Sequence, residues 1–400
     1  MARGFSRQVI NSSGINGWVM EWLLVIAGVF LVLIGIADVF FTVLHYDAFG
    51  FLSSRLYSSL FGVARFLMRP MPRKVRALGL SLPAPLMVPL TISVWILLIL
   101  VGYALIYYAH MSEGTFYFSN PGTEPSLGEA LYMSGTAIST AGFGDVTPTS
   151  GIYQALAVSE ALTGFGILTL AFAYVTGVFG VLQRLGILAA GLYHQASDTS
   201  DALSILAPHF PNGEPQGLDQ HVMTLYRELI EVYEGLRRYP VVYYYHSRRA
   251  YRSIPYSFRM IGGMAGALRW GLPSGHPGSQ APWLPTLITG LETIIAYLEE
   301  RFLYEPLEKT PKPVPFEAFE VAFARDEEPS DPWLDNFLEI DEGMRELALI
   351  KEAPDPKDAY SRYLNWLPFA HRNRVFYEAS ARDLGFDFEE LAHLPGERLF

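Results

Sequence analysis

The stretch Ser139-Thr140-Ala141-Gly142-Phe143-Gly144-Asp145, with Pro148 just beyond, is a short polar, glycine-rich loop set between long apolar runs and preceded by an amphipathic stretch, Leu127 to Ser139. A glycine-rich turn joining two helices would explain the glycines, but it leaves the order Thr-x-Gly-Phe-Gly-Asp unexplained. A lone Gly-x-Gly carries little weight, so the context decides. Crossing a bilayer takes about 20 apolar residues. The run from about Leu86 to Tyr108 meets that length on one side of the loop, and the run from about Ile152 to Leu182 meets it on the other. A third such run, from about Trp18 to Leu44, is too long for a signal peptide, lacks a small-residue cleavage site and carries Asp38, so it reads as a true span.

Composition fits a chain that is part membrane and part soluble. Half of the residues (50%) are hydrophobic and the formal net charge is −11; mean hydropathy is +0.21. Lysine and arginine occur at Arg3 and Arg7, again from Arg55 to Arg76, and then not until Arg184. With no cysteine in the chain, disulfides and thiolate metal sites are excluded. The linker Tyr46 to Pro85 sets Arg55, Arg65, Arg69, Arg73, Lys74 and Arg76 against the single acid Asp47, so the positive-inside rule assigns it to the cytoplasm. The second span then runs outward to a loop with Glu113, Glu124 and Glu129 and no cation, and the third returns inward to Arg184. This topology leaves the N-terminus outside despite Arg3 and Arg7.

The loop resembles the potassium-channel selectivity filter. In that family, backbone carbonyls and one threonine hydroxyl replace the water shell of a dehydrated cation. Aiming the carbonyls one way requires alternate residues to take φ values that suit glycine, which accounts for Gly142 and Gly144. Span, pore helix, filter and span together resemble the two-helix pore module over roughly Leu86 to Leu182. One module is present and a filter ring needs four, so the resemblance implies a homotetramer. It further implies that Thr140 supplies hydroxyl and carbonyl ligands to K+ and that Ala141, Gly142 and Phe143 supply carbonyls. Gly144 would allow the outer turn, and Asp145 would stand at the extracellular mouth with Tyr132 as its hydrogen-bond partner. Two departures bear on selectivity: Ala141 stands where most members carry Val or Ile, and Phe143 replaces the commoner Tyr.

The family tends to carry an acid on the pore helix behind the filter, and the matching position here is Thr136. Glu160 lies instead on the third span, at hydrocarbon depth, with no lysine or arginine between Arg76 and Arg184 to neutralise it. An unpaired intramembrane acid is a functional candidate. It is expected behind or just below the filter, hydrogen-bonded to Ser134 or Thr136, or else wetted by the aqueous cavity or held protonated. Asp38 is expected to meet Arg55 or a helix end. Gly164, 20 residues after Gly144, falls where the family's inner helix often has its hinge, while Gly177 and Gly180 suit close helix packing. No span carries an arginine ladder, so voltage sensing is not expected.

Leu52, Leu56, Leu60, Val63 and Leu67 recur at three- and four-residue spacing and predict an amphipathic helix over Phe51 to Leu67 at the inner membrane surface. Arg69, Arg73, Lys74 and Arg76 are candidate contacts for anionic lipid headgroups. From about Gly186 the composition becomes that of a soluble domain, with 32 acids against 20 bases, which argues against nucleic-acid binding. Asp219 is expected to cap a helix through Leu236, with further helices over Val241 to Trp270, Leu284 to Leu303, Trp333 to Lys351 and Lys357 to Leu384. Neither a dinucleotide-binding glycine fingerprint, a P-loop nor an EF-hand spacing appears, and no organic cofactor is expected. The Arg/Tyr-rich stretch Arg237 to Arg252, with Arg248 and Arg249, is a candidate grip for phosphate or carboxylate, although such arginines commonly pair with acids of their own domain. Asp326 to Glu342 is acid-rich and reads as a solvated face rather than a divalent-ion site.

The expected fold is an all-α membrane protein with a potassium-channel-like tetrameric pore and a helical cytoplasmic domain. It divides into an N-terminal membrane helix (1–45), a basic cytoplasmic linker (46–85), the pore module (86–183) and the cytoplasmic domain (184–400). The expected function is passive, potassium-selective conduction across the cell membrane, regulated by that domain. A nonselective cation channel and a nonconducting scaffold or receptor remain alternatives; no catalytic constellation suggests an enzyme.

Overall fold

The structure is a computed structural model and describes residues 12–45, 50–112, 114–120, 122–247, 249–303, 309–324, 331–353, 355–386 and 391. It is almost wholly helical. The described residues include three helices long and apolar enough to cross a membrane, over Trp18–Leu44, Leu78–Tyr108 and Gly151–Gln195. The chain forms two compact units, one of Met1–Leu60 with Pro85–Gly177, the other of Phe61–Ala84 with Val178–Phe400.

The first unit begins with α1 (Ser12–Val39), which continues as a turn of π-helix over Phe40–Leu44. Helix α2 (Phe51–Met68) follows and is shared between the units; α3 (Arg73–Ser81) belongs to the second. Helix α4 (Pro83–Tyr108) occupies the position of the expected outer helix, α5 (Leu127–Ile138) is the short helix before the loop, and α6 (Gly151–Gln195) occupies that of the expected inner helix. At 1.5 Å per residue, the 45 residues of α6 extend about 68 Å, more than twice the hydrocarbon thickness. Ser126 caps α5 by accepting from the Glu129 amide at 3.2 Å. Trp95, Ile99, Tyr103 and Tyr107 of α4 pack with Ala130, Met133 and Ile138 of α5 and Ile167 of α6 in one apolar core. Helices α1 and α4 touch through Gly28 and Gly102: a Cβ on either would overlap the other's carbonyl oxygen. Small residues at such crossings let backbones pack directly in lipid.

Asp38 is buried at the end of α1. It meets a helix end and not Arg55: it accepts from the Leu52 amide (2.9 Å), the Ser53 hydroxyl (2.7 Å) and the Trp95 indole N–H (2.7 Å). The carboxylate thus serves α2 as an N-cap supplied from another helix. Arg55 instead lies over the Phe51 ring, 4.6 Å from its centroid. The Tyr57 hydroxyl of α2 lies 3.2 Å from that of Tyr174 on α6 and accepts from Thr91 of α4 at 3.3 Å.

The second unit holds α7 (Ala202–Leu206), α8 (Leu218–Arg238), α9 (Ile254–Gly266), α10 (Leu284–Phe302), α11 (Phe316–Phe323), α12 (Pro332–Leu347) and α13 (Pro356–Leu384). The sequence places α8, α10, α12 and α13 within a few residues. Two expectations are corrected, and one helix is added. Gly217, with φ +63, precedes α8, and Asp219 lies inside its first turn, accepting from the Trp283 amide at 3.1 Å. The helix expected over Val241 to Trp270 is broken: Pro240–Tyr244 is a 3-10 turn, and α9 starts afresh where the Ser253 hydroxyl accepts from the Tyr256 amide at 3.2 Å, with Pro255 in the first turn. Helix α11 is unanticipated; its Phe319 packs with Phe337, Tyr363 and Trp366 in the core.

Asp341, from the acid-rich segment, is not a solvated side chain. It is buried and ion-paired to Arg362 at 2.7 Å, and Arg362 also reaches Asp358 at 2.8 Å and the Trp270 carbonyl at 2.6 Å. Residues 326–330 of that segment lie outside the described residues. Removing one partner of a buried pair strands the other charge. Arg362→Leu is therefore expected to cost about 3–5 kcal/mol, read as a lower denaturation midpoint of the soluble unit.

Burial pulls the imidazole of His246 down to about 4, helped by the charge of Arg76, and pulls that of His221 to about 4, helped by His209. Both rings are neutral when folded and take up a proton on unfolding below pH 6.5. The stability they contribute is complete above about pH 6.5 and drains away as pH falls toward 4. Replacing His246 by Phe keeps the stacked contact with Phe386 and removes one titrating ring. Its melting temperature is expected to fall less steeply over that interval than that of the unmodified chain.

Candidate functional site: the glycine-rich loop and the carboxyl behind it

The loop leaves the end of α5 with its amides tied back to that helix. Ser139 N donates to the Gly135 carbonyl at 3.2 Å, Thr140 N to Ala137 at 2.9 Å and Gly142 N to Thr136 at 3.2 Å. Left-handed backbone then alternates along the loop: Thr140 has φ +58, Gly142 +57 and Gly144 +86. The sequence locates two of these positions by their glycines. The third, Thr140, is invisible to that reading, because a β-branched residue rarely takes positive φ. A branched residue held there marks a backbone constrained from outside. Residues 140 to 145 are exposed in the single protomer, Phe143 by 70%.

The outer end of the loop is anchored by a two-stranded ribbon, β1 (Phe116–Phe118) and β2 (Val146–Pro148), in antiparallel register with Tyr117 opposite Thr147. Ser119 N donates to the Asp145 carbonyl at 2.8 Å. The side chain of Asp145 accepts from Tyr132 of α5 at 2.6 Å, so the structure brings together the pair expected from the sequence.

Glu160 lies on α6, is fully buried, and meets hydroxyls from two other helices. Ser134 of α5 bonds to Oε1, and Tyr107 of α4 donates to Oε2 at 2.8 Å. Thr136, the other expected partner, donates to the Met133 carbonyl at 2.8 Å. Tyr107 escaped the sequence reading because it lies 53 residues from Glu160 and only the packing of α4 joins them. Ser134 also donates to the Leu100 carbonyl at 2.8 Å. Ser134 thus offers one hydroxyl proton to two acceptors, the Leu100 carbonyl and Glu160 Oε1.

At Gly164 the inner helix is unbroken, and a Cβ would overlap the Ile138 carbonyl oxygen at the end of α5. Close packing of α6 thus falls at Gly164, whereas Gly180 faces open space within the protomer. Among the candidate lipid contacts, Arg69 is exposed and Arg76 is half-buried; the side chains of Arg73 and Lys74 lie outside the described residues. In the Arg/Tyr-rich stretch, Arg249 donates to the Tyr251 hydroxyl at 3.0 Å, Arg238 to Tyr239 at 3.3 Å, and Arg237 pairs with Glu234 at 3.6 Å. Arg248 lies outside the described residues. Those described guanidiniums are thus engaged within their own domain.

Comparison with known proteins finds similarity over part of the chain. Residues 90–180 match the family model for "Ion channel". The uncharacterized membrane protein YdjJ of Bacillus subtilis (strain 168) is 25% identical over 202 residues, 50% of this chain and 58% of YdjJ. Protein LctB of Bacillus caldotenax is 35% identical over 77 residues, 18% of this chain and 57% of LctB. Protein LctB of Geobacillus stearothermophilus is 34% identical over 85 residues, 18% and 62%. The chain thus spans less than two thirds of the length of each of these relatives. No solved structure gives a significant match.

Tyr107→Phe removes the donor to Oε2 and leaves a buried acceptor short of a partner, at a cost of about 1–3 kcal/mol. A lower melting temperature of the detergent-solubilised protein is expected. Glu160→Gln, neutral and of the same shape, is expected to melt close to the unmodified chain; a large loss there would argue for a charged carboxylate.

Proposed function

We propose, on the premise that residues 90–180 form an ion-channel pore module, that the chain is one subunit of a homotetrameric, potassium-permeable channel. The alternation of left-handed backbone at Thr140, Gly142 and Gly144 carries this reading. Successive residues of opposite handedness turn their carbonyls to one side, and four such strands around an axis make stacked cages of oxygens. Thr140, Ala141, Gly142 and Phe143 provide the oxygens in this reading, and K+ is the permeating ion rather than a fixed cofactor.

The support of the loop is consistent with this role. Hydrogen bonds to α5 hold its inner end, the ribbon and Tyr132 hold its outer end, and Glu160 joins α4, α5 and α6 behind it. In this reading the carboxyl of Glu160 acts as a neutral brace, and Gly164 sets how closely the inner helix lies against the pore helix. The basic segment Arg55 to Arg76 faces the cytoplasm, with anionic lipid headgroups near Arg69 and Arg76, and the soluble domain lies on the same side and regulates the pore. The absence of a side chain larger than a methyl at Ala141 favours a second reading, a cation pore with weaker discrimination.

Reconstitution in liposomes under a potassium gradient, followed by exchange of sodium for potassium, tests both. Potassium flux with a shifted reversal potential on exchange is expected; an unmoved reversal potential selects the nonselective pore, and no flux selects a nonconducting scaffold. Gly142→Ala is expected to abolish flux, since a Cβ is strained at φ +57. Native mass spectrometry is expected to give four chains of 44.7 kDa.

A further inference from the structure

The start of α7 and helices α9, α12 and α13 of the second unit line a half-open cavity of about 810 Å³. That lies within the range of small-molecule sites, about 300–1,000 Å³. Arg259 of α9 lines it. Its Nη1 donates to the Ser200 carbonyl at 2.6 Å, its guanidinium lies 5.9 Å from the Tyr377 ring centroid, and no acid among the described residues pairs with it. Asp201, whose charge it feels, is engaged at the start of α7, accepting from Leu203 N at 2.9 Å and the Ser204 hydroxyl at 2.6 Å. A guanidinium has five N–H donors, and the bond to Ser200 is the hydrogen bond it makes among the described residues. Burial pulls Arg259 below the ordinary arginine range, as expected of a cation without a counter-ion.

Asp201 and Glu339 also line the cavity, as do Arg374 and Glu378, which pair with each other at 2.8 Å; another part of the wall is aromatic. Trp333 and Trp366 meet edge to face with centroids 6.3 Å apart, and Phe369 continues the aromatic surface. Asn373 also lines the cavity; its Nδ2 donates to the Phe369 carbonyl at 2.8 Å, and its buried Oδ1 has no donor among the described residues. A guanidinium with no paired acid and an amide oxygen with no donor, both among the described residues, therefore share one space with an indole-rich wall.

We propose that this cavity binds a small organic anion, with its carboxylate or phosphate on Arg259, its flat apolar body against Trp333, Trp366 and Phe369, and a hydrogen-bond donor near Asn373. The binding site stands on the cavity alone; its use in gating rests on the channel reading. The wall segment Thr199 to Leu203 follows the inner helix, which ends at Gln195, through two left-handed residues, Ser197 (φ +54) and Asp198 (φ +62). An occupant thus fixes the chain that leads out of the inner helix.

Isothermal titration of the purified full-length protein with adenosine 5′-monophosphate, phenylacetate and inorganic phosphate tests the site, and the stronger of the two organic anions identifies the acid group. At least one organic anion is expected to bind once per chain and raise the melting temperature, with inorganic phosphate at least about tenfold weaker. Arg259→Gln is expected to lower the affinity about tenfold or more, as loss of a charged hydrogen bond does, and Arg259→Lys to lower it less. Melting curves establish that each variant is folded. Failure of both organic anions to bind, or unchanged affinity in folded Arg259→Gln, overturns the proposal; equal binding of inorganic phosphate overturns the aromatic half of it. Liposome flux is measured separately, so binding without flux counts against the pore reading alone.

Discussion

Carbonyl oxygens repel one another, and a strand that aims several to the same side must be held there by its surroundings. In the proposed pore, the loop from Thr140 to Gly144 would meet that constraint with its backbone of alternating hand, and hydrogen bonds from the neighbouring elements hold it. Its amides reach back to α5, its outer end is stitched to β1, and the helix it leaves is pinned to α4 and α6 by one carboxyl. Glu160 sits where three helices converge, and no cation among the described residues pairs with it. A neutral acid suits such a place: it gives and accepts hydrogen bonds without the desolvation penalty of a charge.

The elements legible in the sequence were those written in local pattern. Apolar length revealed the three spans, three- and four-residue spacing revealed α2 and most helices of the soluble unit, and glycine placed two of the three left-handed residues in the loop. What stayed hidden depends on tertiary contact. The turn at Thr140 has no glycine to announce it, the Tyr107 hydroxyl reaches Glu160 only because α4 packs beside α6, and Asp38 finds its partners on α2 and α4. The restart at α9 is a different failure: Ser253 followed by Pro255 is a local capping signal, masked by the apolar character of the residues around it.

The second unit is organised by aromatic packing around a small number of buried charges. Arg362 is satisfied by two carboxylates and a backbone carbonyl, so its burial adds rigidity to the contact between α12 and α13. Arg259, also largely enclosed, has no such carboxylate partner among the described residues. The difference between these two guanidiniums, one closed by the fold and the other left open to a cavity, separates structural charge from charge available for recognition.

The contact between Gly28 and Gly102 bears on how this architecture can change over time. Each backbone occupies the space that a side chain would need on the other, so α1 fits α4 as a part shaped to it and not as a loosely appended anchor. Stripping α1 away would leave a shallow trough along the outer helix, open for an acyl chain to settle into. Any lineage that discarded the first helix would have to fill that trough with a bulkier residue at position 102, and a bulkier residue there would bar the helix from returning.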